Sequence, residues 1–462
     1  MTTIVLLLLF VLASTSVSAR GSWLNSHSAL NLAFVGGNSN INSNSNNNNN
    51  TPRGDKYVSS DSALRATEVT TTTTGPVLGP SDTDADAATI FDSGCVACPV
   101  VLPPSKNNKS NDKWQMYYYG NPGTWANETR CFLPTGYVGL AESDDGIHWE
   151  KIPGKEEFGS ILAPTCVEDD FDGLQLGVGD VIRVNANANA DNGDESEELH
   201  MYYFGASFEA VSLGKDAPMP PAQGLRMRIG KAVSTDNGRS WERRGQVLDY
   251  DSKEGLFASW PRLIVPEEGD VDTPWRMLYH TFNGTQWAVF EAISNDKGET
   301  WARAGNTKMV LGPGDSDGWD GSGVGTRAVA RTTDGALVMV YEAVGGGAFT
   351  GTHRLGVARW NDNDENADGG GAWIKDTAIT GVPGGPILEP GVEPLHPWTA
   401  QVIGTPYMVA NPAKDGSMRL YFCAKKDSDM NMSIGLVESE SGNFDPSSWK
   451  AISPKCTDDE DQ

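Results

Sequence analysis

The sequence predicts an all-β fold, a five-bladed β-propeller in which each blade is a four-stranded antiparallel sheet. Three observations carry that expectation. A tyrosine-rich, strand-like run recurs five times, at residues 114–120, 199–205, 275–280, 337–342 and 418–423. Each run is followed by a small-residue strand, a turn and then a tryptophan, as in Gly230-Lys-Ala-Val-Ser-Thr-Asp-Asn-Gly-Arg-Ser-Trp241. No long segment spaces its apolar residues at helical period. Self-similarity at one fixed order of parts marks a repeat architecture, and β-rich repeats of about 70 residues suit propeller blades.

From the N-terminus, residues 1–19 read as a secretory signal, an apolar run from Ile4 to Leu12 followed by small residues through Ala19. The run is too short to span a bilayer. A second reading stands beside it, because Ala33-Phe34 resembles the cleavage point of a two-part plastid-targeting leader. The protein is therefore expected to be secreted, with the plastid as the alternative. Residues 20–88 are dominated by Asn, Ser, Thr and Asp. Such a tract buries too little apolar area to offset its ordering entropy, so it is expected to be a disordered leader. The propeller is expected over 89–456, with an acidic tail at 457–462.

Each repeat is read as four strands. Strand A is an apolar run (residues 99–102, 181–184, 261–265, 328–330 and 407–409), and strand B is the tyrosine-rich run. Strand C carries Gly-x-Ala-x-Ser or a variant, and strand D follows the tryptophan. The C–D turn reads Ser-x-Asp-x-Gly-x-x-Trp at 234–241 and 294–301, and one residue shorter at 143–149. Here the aspartate accepts turn amide hydrogens and the glycine takes positive φ. Asp145, Asp236 and Asp296 are thus turn residues and not catalysts, while the tryptophan packs back between sheets.

The six cysteines form an even set compatible with disulfides in an oxidising compartment. Glycosylation sequons at Asn108, Asn127, Asn283 and Asn431 agree with that compartment. Cys95-Val-Ala-Cys98 lies in an expected strand with no second CxxC or His pair, so it reads as structural cysteine. A formal net charge of -26 argues against nucleic acid or an anionic membrane as partners. It also disfavours an acidic sugar unless a local basic pocket exists. No later segment is apolar enough to cross a membrane, and a monomer is expected.

Chemistry is expected where strand A begins, because a propeller gathers those strand ends into one funnel. Asp92, Asp172 and Asp320 recur there after Phe91, Phe171 and Trp319; the third repeat, 257–262, lacks the acid, and Thr399 replaces it in the last. Asp180 sits directly at a strand A start, and His280 and Glu342 end strand B. Trp260, Arg262 and Arg327 are further strand A candidates. Carboxylates beside aromatic platforms suit glycoside hydrolysis, with one acid for the leaving oxygen and one carboxylate for water or attack. A recurring Asp equally fits a loop cap, which leaves two readings of Asp92 and Asp320.

With these motifs, residues 90–452 resemble the five-bladed propeller superfamily of arabinanases, levansucrases and invertases, glycoside hydrolase families 43 and 32. The resemblance implies a carbohydrate substrate and an acid triad: an Asp, often as Asp-Pro, in the first blade, an Asp in a middle blade, and a Glu. Here the Asp-Pro position reads Cys98-Pro99, and a Glu-Gly-Pro is replaced by Ser259-Trp260-Pro261. Asp180 occupies the middle-blade position. The expected function is hydrolysis of a neutral glycan such as an arabinan, xylan, fructan or mannan. Asp92 and Asp180 would be base and orienting acid, Glu342 or Asp320 proton donor, and Trp260, Arg262, His280 and Arg327 substrate-binding residues. The alternative is a non-catalytic carbohydrate-binding propeller. A sialidase would need six blades and a funnel arginine trio, which the sequence lacks. No cofactor is expected; funnel carboxylates suit a structural Ca2+, but no liganding loop assigns one.

Overall fold

The computed structural model describes residues 75–82, 90–105, 113–124, 131, 134–185, 197–212, 221–267, 270, 272–305, 309–332, 335–348, 350–362, 371–376, 385–395, 398–414, 416–425, 432–439 and 444–454. The expected signal, most of the leader and the acidic tail lie outside them. The described elements are strands and two single-turn 3-10 helices.

Strands follow one another as five antiparallel meanders. The first is β1 (Cys95–Leu102), β2 (Trp114–Asn121), β3 (Tyr137–Ser143) and β4 (Glu150–Ile152). The second is β5 (Gln175–Asn185), β6 (Glu197–Ala206), β7 (Met227–Ser234) and β8 (Glu242–Leu248). The third is β9 (Ser259–Ile264), β10 (Trp275–Phe282) and β11 (Trp287–Ser294), its outer edge split into β12 (Ala302–Arg303) and β13 (Met309–Leu311). The fourth is β14 (Gly323–Arg331), β15 (Leu337–Gly345), β16 (Thr352–Asn361) and β17 (Ala372–Lys375). The fifth is β18 (Val402–Ala410), β19 (Met418–Lys425), β20 (Ser433–Ser439) and β21 (Trp449–Ile452). A single parallel bridge, Trp287 to Gly323, joins the third and fourth meanders into one sheet. The first strands neighbour one another in the ring β1, β5, β9, β14, β18 and back to β1. This is a β-propeller.

The tyrosine run and the C–D turn hold adjacent blades together. Trp149, Trp241 and Trp301 pack edge-on against Tyr421, Tyr117 and Tyr202 of the preceding blade. Tyr421 Oη donates to Gly146 O at 2.7 Å and Tyr202 Oη to Gly298 O at 3.0 Å. Gly238 shows why that position needs glycine: its φ is +81°, and a Cβ there would lie 2.0 Å from Tyr117 Oη. As expected, the turn aspartates accept amide hydrogens, Asp145 from Ile147 and His148, Asp236 from Ser240 and Asp296 from Thr300. The Thr300 hydroxyl and amide hold the Asp296 carboxyl down to about 2.

A fivefold feature escaped the sequence reading. After each fourth strand, or within it, the chain carries Val/Ile-Leu: Ile161-Leu162, Val247-Leu248, Val310-Leu311 and Ile387-Leu388. These leucines pair with Val138, Ile229, Val289 and Leu355, all near the inner ends of third strands. The fifth copy is Val77-Leu78, in which Leu78 bridges Ile434 of β20. Ile434 N donates to Leu78 O and Val77 N to Ile434 O, both at 2.8 Å. The fold therefore reaches back into the stretch assigned to the leader. Pro76 to Pro80 forms a strap that joins the N-terminal side of the propeller to its last blade, and both apolar side chains are buried.

The disulfide expectation is not met among the described residues. Cys95, Cys98 and Cys423 are buried thiols and Cys166 an exposed one, while Cys456 lies outside the described residues. Cys131 Sγ lies 4.0 Å from Gln223 Oε1. Burial pushes the Cys98 thiol up to about 12 and raises Cys95 and Cys423 too, which makes them inert apolar filling. Of the sequons, Asn283 is exposed, and Asn108, Asn127 and Asn431 lie outside the described residues.

Candidate functional site

Asp92 and Asp320 belong to a clasp that every blade but the last repeats. Asp92 accepts from Tyr118 Oη at 2.8 Å and pairs with Lys151 of β4 at 2.6 Å. Asp172 accepts from Tyr203 Oη at 2.9 Å and pairs with Arg243 of β8 at 3.0 Å. Asp320 pairs with Lys375 of β17 at 2.5 Å, beside Tyr341. The third blade does not lack the acid: Glu254 accepts from Tyr279 Oη at 2.9 Å and pairs with Arg303 of β12 at 3.1 Å. Glu254 lies four residues before Ala258, where the frame set on Phe257 expects the acid, and six before Trp260, the same separation as Asp92 from Cys98 and Asp320 from Thr326. In the fifth blade Phe422 replaces the tyrosine and Thr399 donates to Leu395 O at 2.7 Å, so acid and phenol are absent together. A group tied to the outermost strand of its blade staples that blade. The geometry thus favours the loop-cap reading of Asp92 and Asp320.

The other candidates converge where the first strands begin. Every first strand shifts register there, with one or two residues bulged opposite the second strand. Three bulges place a non-glycine residue at positive φ directly before proline: Cys98 at 52°, Trp260 at 47° and Thr405 at 44°. Positive φ is disfavoured for such side chains, and the left-handed conformation before proline more so; strained backbone of this kind clusters at functional sites. A bulge re-aims the side chain it carries. The recurring X-Pro at 98–99, 260–261 and 405–406 was the available sequence signal.

Asp180 and Glu342 lie at this centre, both buried and both engaged. Asp180 Oδ1 accepts from Val181 N at 3.0 Å and Tyr407 Oη at 3.3 Å, and its Oδ2 accepts from Leu263 N at 2.8 Å. Burial pushes its carboxyl above the usual range, against the pull of Arg262 and of those hydrogen bonds. Glu342 accepts from Thr326 Oγ1 and, at 3.1 Å, from Thr405 N, and its Oε1 meets His353 Nδ1 at 2.6 Å. Tyr407, Thr405, Thr326 and His353 were not foreseen.

Trp260 and His280 form an aromatic wall with Phe204 and Trp287. Trp260 lies over Phe204 at 4.2 Å between centroids and stacks on His280 at 5.1 Å with 12° between planes. His280 meets Trp287 edge-on at 5.7 Å. Trp260 and Trp287 keep part of their surface in solvent, while Phe204 and His280 are buried. Burial, then Arg327, push the His280 imidazole well below its ordinary value, so it is neutral at pH 7. Trp260 Nε1 donates to Cys98 Sγ at 3.1 Å, and Cys98 N to Thr405 Oγ1 at 3.2 Å, joining three strained bulges.

Arg262 and Arg327 complete the centre. Arg262 Nε donates to Arg327 O at 2.9 Å and its guanidinium lies 4.7 Å from the Tyr407 ring centroid. Arg327 donates to Trp260 O and, at 3.4 Å, to Gly325 O. The structure thus brings together Asp180, Trp260, Arg262, His280, Arg327 and Glu342, and leaves Asp92 and Asp320 apart.

A surface cavity of about 670 Å³ lies elsewhere, lined by Glu168, Asp169, Asp170, Phe171, Phe208, Glu209, Arg228 and Asp249 among others. Arg228 there is already paired with Glu209 and Asp249, and none of the six central residues lines it. Among the described residues no three His, Cys, Asp or Glu side chains are placed to hold a metal ion.

Solved structures with this architecture carry glycan-active proteins. A β-1,2-mannobiose phosphorylase from Listeria innocua, solved with β-1,2-mannobiose, superposes with a TM-score of 0.51 at 11% identity, over 80% of this chain and 96% of its own. A glycosyl hydrolase from Bacteroides ovatus gives 0.50 at 15% identity, over 79% and 91%. A member of the GH130 family of mannoside phosphorylases and glycoside hydrolases gives 0.50 at 16%, over 79% and 92%. The fold is that of the glycoside-hydrolase β-propellers. No protein-family model matches the sequence, and no curated protein does. Within that fold, the five first-strand bulges of this chain hold Cys98, Gly179, Trp260, Thr326 and Thr405, and no carboxylate, with Asp180 directly after the second.

Proposed function

We propose that this glycosidase-like propeller binds a glycan in its funnel, against the aromatic wall of Trp260, His280 and Trp287, without cleaving it by paired carboxylates. One observation carries the reading: the two central carboxylates, Asp180 and Glu342, are buried and spend their oxygens on backbone amides, hydroxyls and an imidazole. Hydrolysis needs one acid to protonate the leaving oxygen and one carboxylate to reach water or carbon. Carboxylates held this way, each already in three polar contacts, keep about one lone-pair site and are fixed by the fold's own groups. The partly exposed Trp260 and Trp287 support the binding half, since aromatic faces take the apolar face of a sugar ring.

Asp180 favours a second reading, in which the funnel retains hydrolysis. Its carboxyl is pushed upward by burial, as a proton donor requires.

The experiment is a panel of immobilised glycans, including arabinan, xylan, fructan and mannan, probed with the wild-type protein and with Trp260→Ala. The expected result is binding by the wild type, weakened about tenfold or more in the variant, as loss of a desolvated aromatic anchor entails. Binding that Trp260→Ala leaves intact overturns the assignment of the wall.

A further inference from the structure

At or just before the start of a third strand, the chain bonds to the next blade round the ring. Leu176 N donates to Gly136 O at 3.2 Å, Ala258 N to Met227 O at 3.0 Å and Val96 N to Met432 O at 3.2 Å. Met227 and Met432, at two of these contacts, are buried apolar filling. The third blade departs from that pattern. Its β11 opens with Trp287, which keeps part of its surface in solvent and stands in the aromatic wall.

The fourth blade grips Trp287 at three points. Its backbone N donates to Ser322 O at 3.3 Å, its backbone forms the parallel bridge to Gly323, and its indole Nε1 donates to Ala348 O at 3.3 Å. Gln286 Nε2, one residue before it, donates to Gly321 O at 3.2 Å. Ala348 is itself held, because Gly347 N donates to Ser322 Oγ at 2.8 Å. Glycine is required at 323: φ is +131°, and a Cβ there would lie 2.4 Å from Trp287 N and 2.5 Å from Trp287 O. Both are backbone atoms, so the collision is relieved only by moving one strand from the other. The other first strands open with Cys95, Gln175, Ser259 and Val402, none of them glycine. The closest approach therefore belongs to the blade pair that carries the partly exposed tryptophan.

We propose that Gly323, Ser322 and Ala348 are positioning residues, a seat on the fourth blade that fixes Trp287 for glycan binding. The inference rests on the glycan-binding reading and deepens it, since the ligand meets the third blade while the edge of the fourth governs its affinity. An aromatic platform held in one orientation before the ligand arrives spares the cost of ordering it on binding. A contact that served the fold alone would not need a solvent-facing indole, because Met227 and Met432 make the comparable contacts fully buried.

The test uses whichever of arabinan, xylan, fructan and mannan the wild-type protein binds, with affinity measured by isothermal titration. Alongside it, a fluorine NMR spectrum is recorded on protein labelled with fluorotryptophan, in which Trp287→Phe assigns the Trp287 resonance. Gly323→Ala, Ser322→Ala and Trp287→Ala are compared with Asp92→Ala, a destabilising change away from the wall. Gly323→Ala and Trp287→Ala should each weaken binding about tenfold or more, as loss of an aromatic anchor does. Ser322→Ala should weaken it about threefold, the share of one hydrogen bond, and Asp92→Ala should bind as wild type. In both seat variants the Trp287 resonance should shift. If Gly323→Ala does not fold, Ser322→Ala carries the test. Seat variants that melt lower yet bind as wild type, or that leave the resonance unmoved, overturn the proposal. Trp287→Ala binding as wild type overturns it too, and a loss in Trp260→Ala then leaves the glycan-binding reading standing. Wild-type protein that binds none of the four glycans overturns both.

Discussion

Replacing Asp92 by alanine separates a structural acid from a catalytic one, because its two contacts can be weighed. Asp92 is 1% exposed, and its Oδ2 takes both Tyr118 Oη and Lys151 Nζ. Removing the carboxylate leaves the buried phenol without an acceptor, at about 1–3 kcal/mol. Lys151, a quarter exposed, can turn toward water, so its share is about 1 kcal/mol or less. The sum is about 1–4 kcal/mol, and in a chain of this size each kcal/mol moves Tm by about 2 °C. Differential scanning calorimetry should therefore show a drop of roughly 2–8 °C. Tyr118→Phe should cost less alone and remove much of the effect in the double variant, since both act through one contact. Glycan binding measured below the transition should be unchanged. A melt within about 1 °C of wild type, together with lost binding or turnover, would refute the clasp and return Asp92 to the funnel chemistry.

Three further outcomes follow from the same geometry. Leu78→Ala should cost about 2–3 kcal/mol in urea unfolding, as for other buried leucines, and wild-type stability would mean that the strap does not close the ring. Gly238→Ala should cost about 2 kcal/mol or more, because φ is +81° and the new Cβ meets Tyr117 Oη; adding Tyr117→Phe should recover part of it, and no recovery would contradict the contact. Asp180 has a carboxyl raised in the fold, so the folded state holds its proton to higher pH than the unfolded chain. Its burial therefore weakens the fold as pH rises from the unfolded carboxylate range through the folded value, and Asp180→Asn escapes that loss. The Tm difference between Asp180→Asn and wild type should move in favour of the variant as pH rises above about 4. A constant difference would contradict the burial.

Much of the scaffold was legible because it rests on local rules. The Ser-x-Asp-x-Gly-x-x-Trp turns at 234–241 and 294–301 state their own geometry, and the tyrosine runs became β2, β6, β10, β15 and β19. What failed to show were pairings set by space and not by spacing. Val77-Leu78 reads as part of an Asn/Thr-rich tract until Ile434 is brought beside it. Glu254 was passed over because it stands outside the aligned frame, although its carboxylate reaches the same phenol position. The recurrence that drew attention to Asp92 and Asp320 proved to be a repeated staple. Of the positions where the blades disagree, Asp180, Trp260, His280 and Glu342 are gathered at the centre, while Thr399 stands at the clasp position of the fifth blade. Arg262 and Arg327 were named as binding residues, but nothing in the sequence shows that both lie buried and donate to backbone carbonyls.

The central claim is that the funnel holds a glycan and leaves its linkages intact. The most direct measurement is product analysis by mass spectrometry after prolonged incubation of wild-type protein with a glycan it has been shown to bind. The account predicts that the glycan is recovered whole, and that Asp180→Asn behaves as wild type. Shortened products that disappear in Asp180→Asn would contradict it.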